Sequence, residues 1–242
     1  MPSRVLVFDV NETLIDIDSV ASLFGELFGD RRVLREWFNQ LVMYSMTLTL
    51  SEHYVDFFAL GQGVLRMLAD ARQVDITDDD VGRITAAMRT MPAHLDAVDA
   101  LTRLRDNGFR LVTLTNSPHP PGSPTPLENA GLAGLFERQL SVDSCRAFKP
   151  APAVYRHVCH ELGVLPADCL MVAAHVWDLL GARNVGFGSA LVTRGVNPPL
   201  RIAGLPQPDL VVGNLHELAD RLTAEGATAR VTSLGESNRE DR

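Results

Sequence analysis

The stretch VLVFDVNETLID, from Val5 to Asp16, constrains this chain most. An apolar run of strand type ends there in Asp9, and Thr13 follows four residues later. An open α/β sheet has its ligand crevice outside the carboxyl ends of its strands, so this pattern delivers a carboxylate to the crevice. A carboxylate so placed can be a nucleophile, a metal ligand or both.

The rest of the chain reads as the remainder of such a sheet. From Ala97 onward helices and strands alternate: helix 97–107, strand Arg110 to Thr115, strand Gln139 to Val142, helix Pro152 to Leu162 and strand Cys169 to Ala173. Helix Asp178 to Asn184, strands Ser189 to Thr193 and Asp209 to Val212, and helix Leu215 to Leu222 complete the series. This alternation predicts a parallel sheet with helices on both faces. Between about Val20 and Ala97 the apolar spacing is helical almost throughout, with helix starts at Ser51 and at Asp78 to Asp80 and no convincing strand. The expected division is an α/β core of residues 1–16 and 97–226, a helical cap of 17–96, and a disordered polar tail of 227–242. Five prolines between Pro118 and Pro126 interrupt the rhythm after the second strand. They predict either a rigid loop at the site mouth or a helix that starts late, near Leu127.

Composition narrows the function classes. A 46% hydrophobic content suffices for a buried core over 242 residues, and the net charge of −8 comes without a basic cluster, which argues against nucleic acid. A local positive pocket would still admit a small anionic substrate. Cys145, Cys159 and Cys169 lack metal-ligand spacing, and there is no signal-like or membrane-length apolar segment. The expectation is a cytoplasmic protein without membrane attachment.

Four short pieces fall at strand ends. After FDVNET come LTNS with Thr115 and Asn116, FKPAPAVY with Lys149 and Tyr155, and VAAHVWDLLGA with His175, Trp177 and Asp178. Each is weak alone; four in order on a matching strand–helix pattern are specific. The set resembles the haloacid dehalogenase superfamily, and the Lys149-to-Tyr155 spacing, the Trp-Asp pair followed by Gly-Ala and the helical insert resemble its L-2-haloacid dehalogenase (type II) subgroup. The similarity runs from about Val5 to Leu222. It implies a Rossmann-like parallel core with an inserted all-helical cap, no cofactor, and frequently a homodimer.

The resemblance also implies roles. Asp9 would be the nucleophile that displaces halide and forms an enzyme ester. Lys149 would keep it ionised, Thr13 and Thr115 would fix carboxylates by hydrogen bonds, and Asp178 would position or deprotonate the hydrolytic water. Asn116 remains as a halide donor, and Asn11, Tyr155 and Trp177 would line the substrate. Tyr155 reads equally well as core packing, Trp177 as a packing anchor, and His175 either as an ordinary loop histidine or as a group that orients or activates water.

The chain departs from the subgroup at informative places. Asn11 stands where the family has an aromatic residue, Glu12 where it has glycine, and Ala173 and His175 where it tends to have Ser and Asn. Thr47 falls at the position of the halide-receiving arginine, for which Arg35 and Arg146 are the possible substitutes. Two alternatives therefore stand beside the dehalogenase. One is a Mg²⁺-dependent phosphatase, disfavoured by Asn11 in place of a second aspartate. The other is a binding protein on a retired catalytic fold.

Overall fold

The computed structural model describes residues 5–119, 122–194 and 197–224. The expected tail, 227–242, lies outside the described residues, as do Pro120 and Pro121. Strand β1 (Val5–Phe8) is followed by helices α1 (Ala21–Phe28), α2 (Val33–Leu50), α3 (Phe57–Arg72), α4 (Asp78–Arg89) and α5 (Ala97–Asp106). Next come β2 (Arg110–Thr115), α6 (Pro126–Asn129), β3 (Arg138–Ser141) and α7 (Pro152–Leu162). The chain continues through β4 (Cys169–Ala173), α8 (Val176–Asn184), β5 (Gly188–Val192), β6 (Leu210–Val212) and α9 (215–224).

The six strands form one sheet in the order β3-β2-β1-β4-β5-β6, and every neighbouring pair is parallel. All four residues of β1 and all five of β4 are buried, which explains their unbroken apolar spelling. Strand order reverses between β1 and β4, and Asp9 follows β1 directly at that switch point, its N–H donating to Val172 O at 3.0 Å.

Helices α1–α4 arise from residues between β1 and β2, as their 3.6-residue spacing predicts. Trp37 and Leu41 of α2 and Leu65 and Leu68 of α3 are buried, and the Trp37 indole donates to Gly61 O at 2.9 Å. The same helices reach the sheet's loops: Thr49 accepts the Phe148 N–H at 2.9 Å, and the Phe38 ring lies 5.9 Å from the His175 ring.

One expectation requires correction. Ser51 does not start a helix; it ends α2, its hydroxyl and N–H both donating to Thr47 O at 2.9 Å. The start belongs to Asp56, whose carboxylate accepts the N–H groups of Phe58 and Ala59. After β2 the helix does start late, at Pro126, where Thr125 and Glu128 form a capping box and proline fits the first turn. The remaining boundaries shift by a residue or two: β3 runs one residue earlier than expected, and α8 begins at Val176.

Gly181 of α8 brings the fold to the site. A Cβ there would stand 2.7 Å from Pro150 Cβ, Pro150 O and Tyr155 Cε2. Only glycine lets α8 sit this close to the loop that carries Lys149. Gly181→Ala should destabilise the protein by about 1–3 kcal/mol or more through overpacking. Thermal unfolding of the variant checks this; an unchanged Tm would mean that the loop yields freely.

Candidate active site

The turn after β1 is tightly wound. Leu14 and Ile15 N–H groups return to Val10 O at 2.9 and 3.1 Å, and Glu12 N–H donates to Ile15 O at 2.9 Å. Glu12 sits in the left-handed region, φ +63°, where the resembling subgroup has glycine. A β-carbon at such a φ costs roughly 1 kcal/mol. The turn folds Thr13 back onto Asp9, so that its hydroxyl donates to Asp9 Oδ2 at 2.7 Å and accepts Ala174 N–H at 2.9 Å. Arg194 clamps the turn from outside by donating to Thr13 O at 2.6 Å, while Asp96 holds Arg194 at 2.8 Å and accepts the Leu215 N–H at 2.7 Å.

Lys149 comes from the loop between β3 and α7 and is fully buried. Its backbone N–H donates to Asn116 Oδ1 at 3.1 Å, which fixes the loop to the end of β2. Its ammonium then bridges two carboxylates, Asp9 Oδ1 at 3.0 Å and Asp178 Oδ2 at 2.8 Å. The Tyr155 hydroxyl donates to Asp178 Oδ1 at 2.6 Å, with Asp178 O also at 3.0 Å.

These contacts set the charges. Burial pushes the Asp9 carboxyl up, but the Lys149 ammonium, neighbouring His175 and the Thr13 hydroxyl together outweigh it and hold the group well below the ordinary carboxylate range. Asp9 is thus an ionised carboxylate with little solvent cover, 6% exposed. Complete burial and the nearby Asp9 charge raise the Asp178 carboxyl, against the pull of Lys149. Lys149 itself is raised: burial lowers it, and the two carboxylates more than compensate. Burial and the Asp178 carboxylate push the Tyr155 hydroxyl well up, so it remains a donor.

On the other side of Asp9 stands His175, which is 9% exposed. Its Nε2 lies 2.6 Å from Glu12 Oε2, its ring stacks on Trp177 at 5.0 Å, and its Nδ1 is 3.8 Å from Asp9 Oδ2. Glu12 also pairs with Arg35, whose guanidinium holds Asp18 at 2.8 Å.

The structure therefore brings together Asp9, Thr13, Lys149, Asp178, Tyr155 and His175. The expected substrate contacts are placed less uniformly. Thr115 turns its hydroxyl to the Ser117 N–H at 3.1 Å, and Asn11 Nδ2 reaches Ser117 Oγ at 3.4 Å. Trp177 packs on His175, and Tyr155 is buried in the core with its hydroxyl on Asp178. Of the two possible arginine substitutes, Arg146 lies over the Tyr54 ring at 5.1 Å. Arg35 shares with Thr47, His175 and Trp177 the lining of a cavity of about 660 Å³. Thr47 donates its hydroxyl to Met43 O at 2.9 Å, within its own helix. Sequence reasoning missed the Arg194–Asp96 clamp and the Glu12–His175 pair. The departure of both Glu12 and His175 from the subgroup pattern was the signal for the second.

A family model described as haloacid dehalogenase-like hydrolase matches residues 4–186. The chain belongs to this family. It is 30% identical to (S)-2-haloacid dehalogenase 2 of Pseudomonas sp. (strain CBS-3), over 93% of this chain and 97% of that one. It is 29% identical to (S)-2-haloacid dehalogenase 4A of Burkholderia cepacia, over 81% and 85%. Among solved structures, the L-2-haloacid dehalogenase of Xanthobacter autotrophicus with chloropropionic acid covalently bound superposes with a TM-score of 0.79 at 26% identity, covering 91% of this chain and 98% of that chain. A HAD phosphatase from Thermococcus onnurineus shares the fold at a TM-score of 0.57 and 20% identity, covering 90% and 97%.

Lys149→Met should leave two buried carboxylates facing each other without a counter-ion. Breaking a buried pair this way costs about 3–5 kcal/mol. Adding Asp178→Asn should return part of that loss, as measured by a denaturant double-mutant cycle. Additive losses would mean that Lys149 and Asp178 do not couple.

Proposed function

We propose that this member of the family hydrolyses the carbon–halogen bond of small 2-haloalkanoic acids through an ester on Asp9. The observation that carries the reading is the ionised, nearly dry Asp9 carboxylate, fixed on one oxygen by Lys149 and on the other by Thr13. A carboxylate attacks saturated carbon well only when it is desolvated and aimed, and both conditions hold here. The full-length relatives named as (S)-2-haloacid dehalogenases support the same chemistry.

In the first step an Asp9 oxygen bonds to C2 of the substrate as the C–halogen bond breaks and the halide leaves with the bonding pair. Lys149 keeps the nucleophile ionised, and Thr13 holds its direction. Asp178 and Tyr155 hold Lys149 in place. Water then adds to the Asp9 carbonyl carbon, the ester opens, and a 2-hydroxy acid leaves. Asn11, Asn116 and Trp177 are the proposed substrate-side contacts. Asn116 has Oδ1 committed to Lys149 N–H, which leaves its amide nitrogen to donate to the departing halide. Thr115 supports this loop through Ser117. Helices α1–α4 serve as the cap, closing one wall of the pocket over a small anionic substrate. A cytoplasmic homodimer remains part of the proposal; no helix among the described residues is long and apolar enough to cross a membrane.

The phosphatase reading fits the donor set poorly. The Lys149 ammonium occupies the place between Asp9 and Asp178 that a divalent ion would need, and Glu12, although turned inward, is held by His175 and Arg35. The retired-fold reading has no account of why a nucleophile, its lysine and the lysine's second carboxylate all stay assembled.

Halide release from 2-chloropropionate enantiomers and haloacetates should occur with wild-type protein, remain unchanged in EDTA, and fall on the order of 10³-fold or more in Asp9→Asn. Activity only on phosphate esters with added Mg²⁺ would replace this reading with the phosphatase.

A further inference from the structure

Arg194 directs two of its N–H-bearing atoms at one peptide carbonyl. Its Nη2 and Nε donate to Thr13 O at 2.6 and 3.2 Å, and its Nη1 donates to both Asp96 oxygens at 2.8 Å. The two side chains are only 10% and 11% exposed. Burial pushes the Asp96 carboxyl up, but the Leu215 N–H, Arg194 and His94 together hold it below its ordinary value, so the pair is ionised. A turn carbonyl does not by itself call for such a pair, since one water can satisfy it.

Two local departures from favourable geometry accompany this contact. Arg194 adopts the left-handed region, φ +47°, which disfavours any residue with a β-carbon. Asp96 occupies the N-cap of α5, from which an aspartate ordinarily accepts an N–H of its own first turn. Among the described residues it makes no such bond, and its carboxylate turns instead to Arg194 and to the Leu215 N–H at 2.7 Å. A buried ion pair is weak evidence of stabilisation, because desolvation cancels much of its attraction. What the pair holds in place is more informative.

One end holds Thr13. The hydroxyl of that residue accepts the Ala174 N–H at 2.9 Å, which leaves its proton for Asp9 Oδ2 at 2.7 Å. A shift of the Thr13 peptide would carry the hydroxyl with it and release one of the two Asp9 oxygens. The other end lies where α1–α4 rejoin the sheet. Asp16 N–H donates to Pro92 O and His94 N–H to Leu14 O, both at 2.9 Å, with Ile15 and Ala93 paired antiparallel between them. The outgoing and returning segments therefore run side by side, and Asp96 follows directly.

We propose that Arg194 is a positioning residue for the nucleophile. Through the Thr13 carbonyl it holds the Thr13 hydroxyl on Asp9, and through Asp96 it ties that aim to the segment by which α1–α4 rejoin the sheet. This rests on the dehalogenase reading above. Because the effect passes through Thr13, it falls on the bond-forming step, where a misdirected carboxylate loses its line of attack, and not on substrate affinity.

The test is single-turnover halide release from 2-chloropropionate with enzyme in excess. Arg194→Met should lower the limiting rate on the order of 10²-fold, while the half-saturating substrate concentration moves less than about threefold. Thr13→Val should cause a comparable loss, and the double variant should be little slower than either, because both changes remove one constraint. Arg194→Lys keeps a cation for Asp96 without the planar fork, so it should keep Tm near wild type and show the same coupling with a smaller loss. A pair that merely stabilises the fold would lower Tm and leave the rate per folded molecule unchanged. Wild-type rates in the folded Arg194 variants, or losses that add to that of Thr13→Val, would overturn the proposal and leave the dehalogenase reading intact. No halide from folded wild-type protein would overturn both.

Discussion

The Lys149 ammonium, enclosed between Asp9 and Asp178, is the interaction on which the rest of this molecule depends. A fully buried cation is tolerable only if its attraction to carboxylates offsets the loss of water, and here two carboxylates share that task. To meet, the three groups must come from the end of β1, the loop before α7 and the first turn of α8. Sheet order is what makes this possible. With β1 beside β4, their carboxyl ends open next to each other, and α8 can bring Asp178 under Lys149 only because Gly181 leaves room. Removing water from this cluster makes Asp9 reactive as well as expensive to keep charged. The same ammonium resolves that conflict by holding the carboxylate ionised.

Much of this arrangement was legible in the chain, for reasons that differ by element. Strands β2 and β4 and helix α7 lie where the apolar pattern puts them, because a strand buried on both faces and a helix opened by Pro152 have spellings of their own. The start of α3 was misread since Ser51 and Asp56 are both polar residues able to cap, and only the closed turn at the end of α2 shows which one does. The motif order likewise places Asp9, Lys149 and Asp178 in one crevice. It carries no information on how many donors each carboxylate already has. That Asp178 has both oxygens engaged, and that Asp96 and Arg194 clamp the Thr13 turn across 98 residues of sequence, are properties of the packed structure. No spacing rule encodes them.

The departures from the subgroup pattern become coherent when their charges are counted together. By the resemblance, Glu12 stands at a glycine position and adds a negative charge near Asp9, and Thr47 stands at an arginine position and brings no positive one. Both changes alone would push the Asp9 carboxyl up and oppose entry of an anionic acid. Arg35 answers the first by pairing with Glu12, and it stands in the same cavity that Thr47 lines. The positive charge near the pocket is therefore retained, but it is tied to Glu12 and Asp18. A halide leaving in the proposed reaction would meet the Asn116 amide in place of a free guanidinium. Under the proposed reaction, carbon–halogen cleavage would therefore be the half more sensitive to how poor a leaving group the halide is, because no guanidinium in this cavity is free of a carboxylate partner.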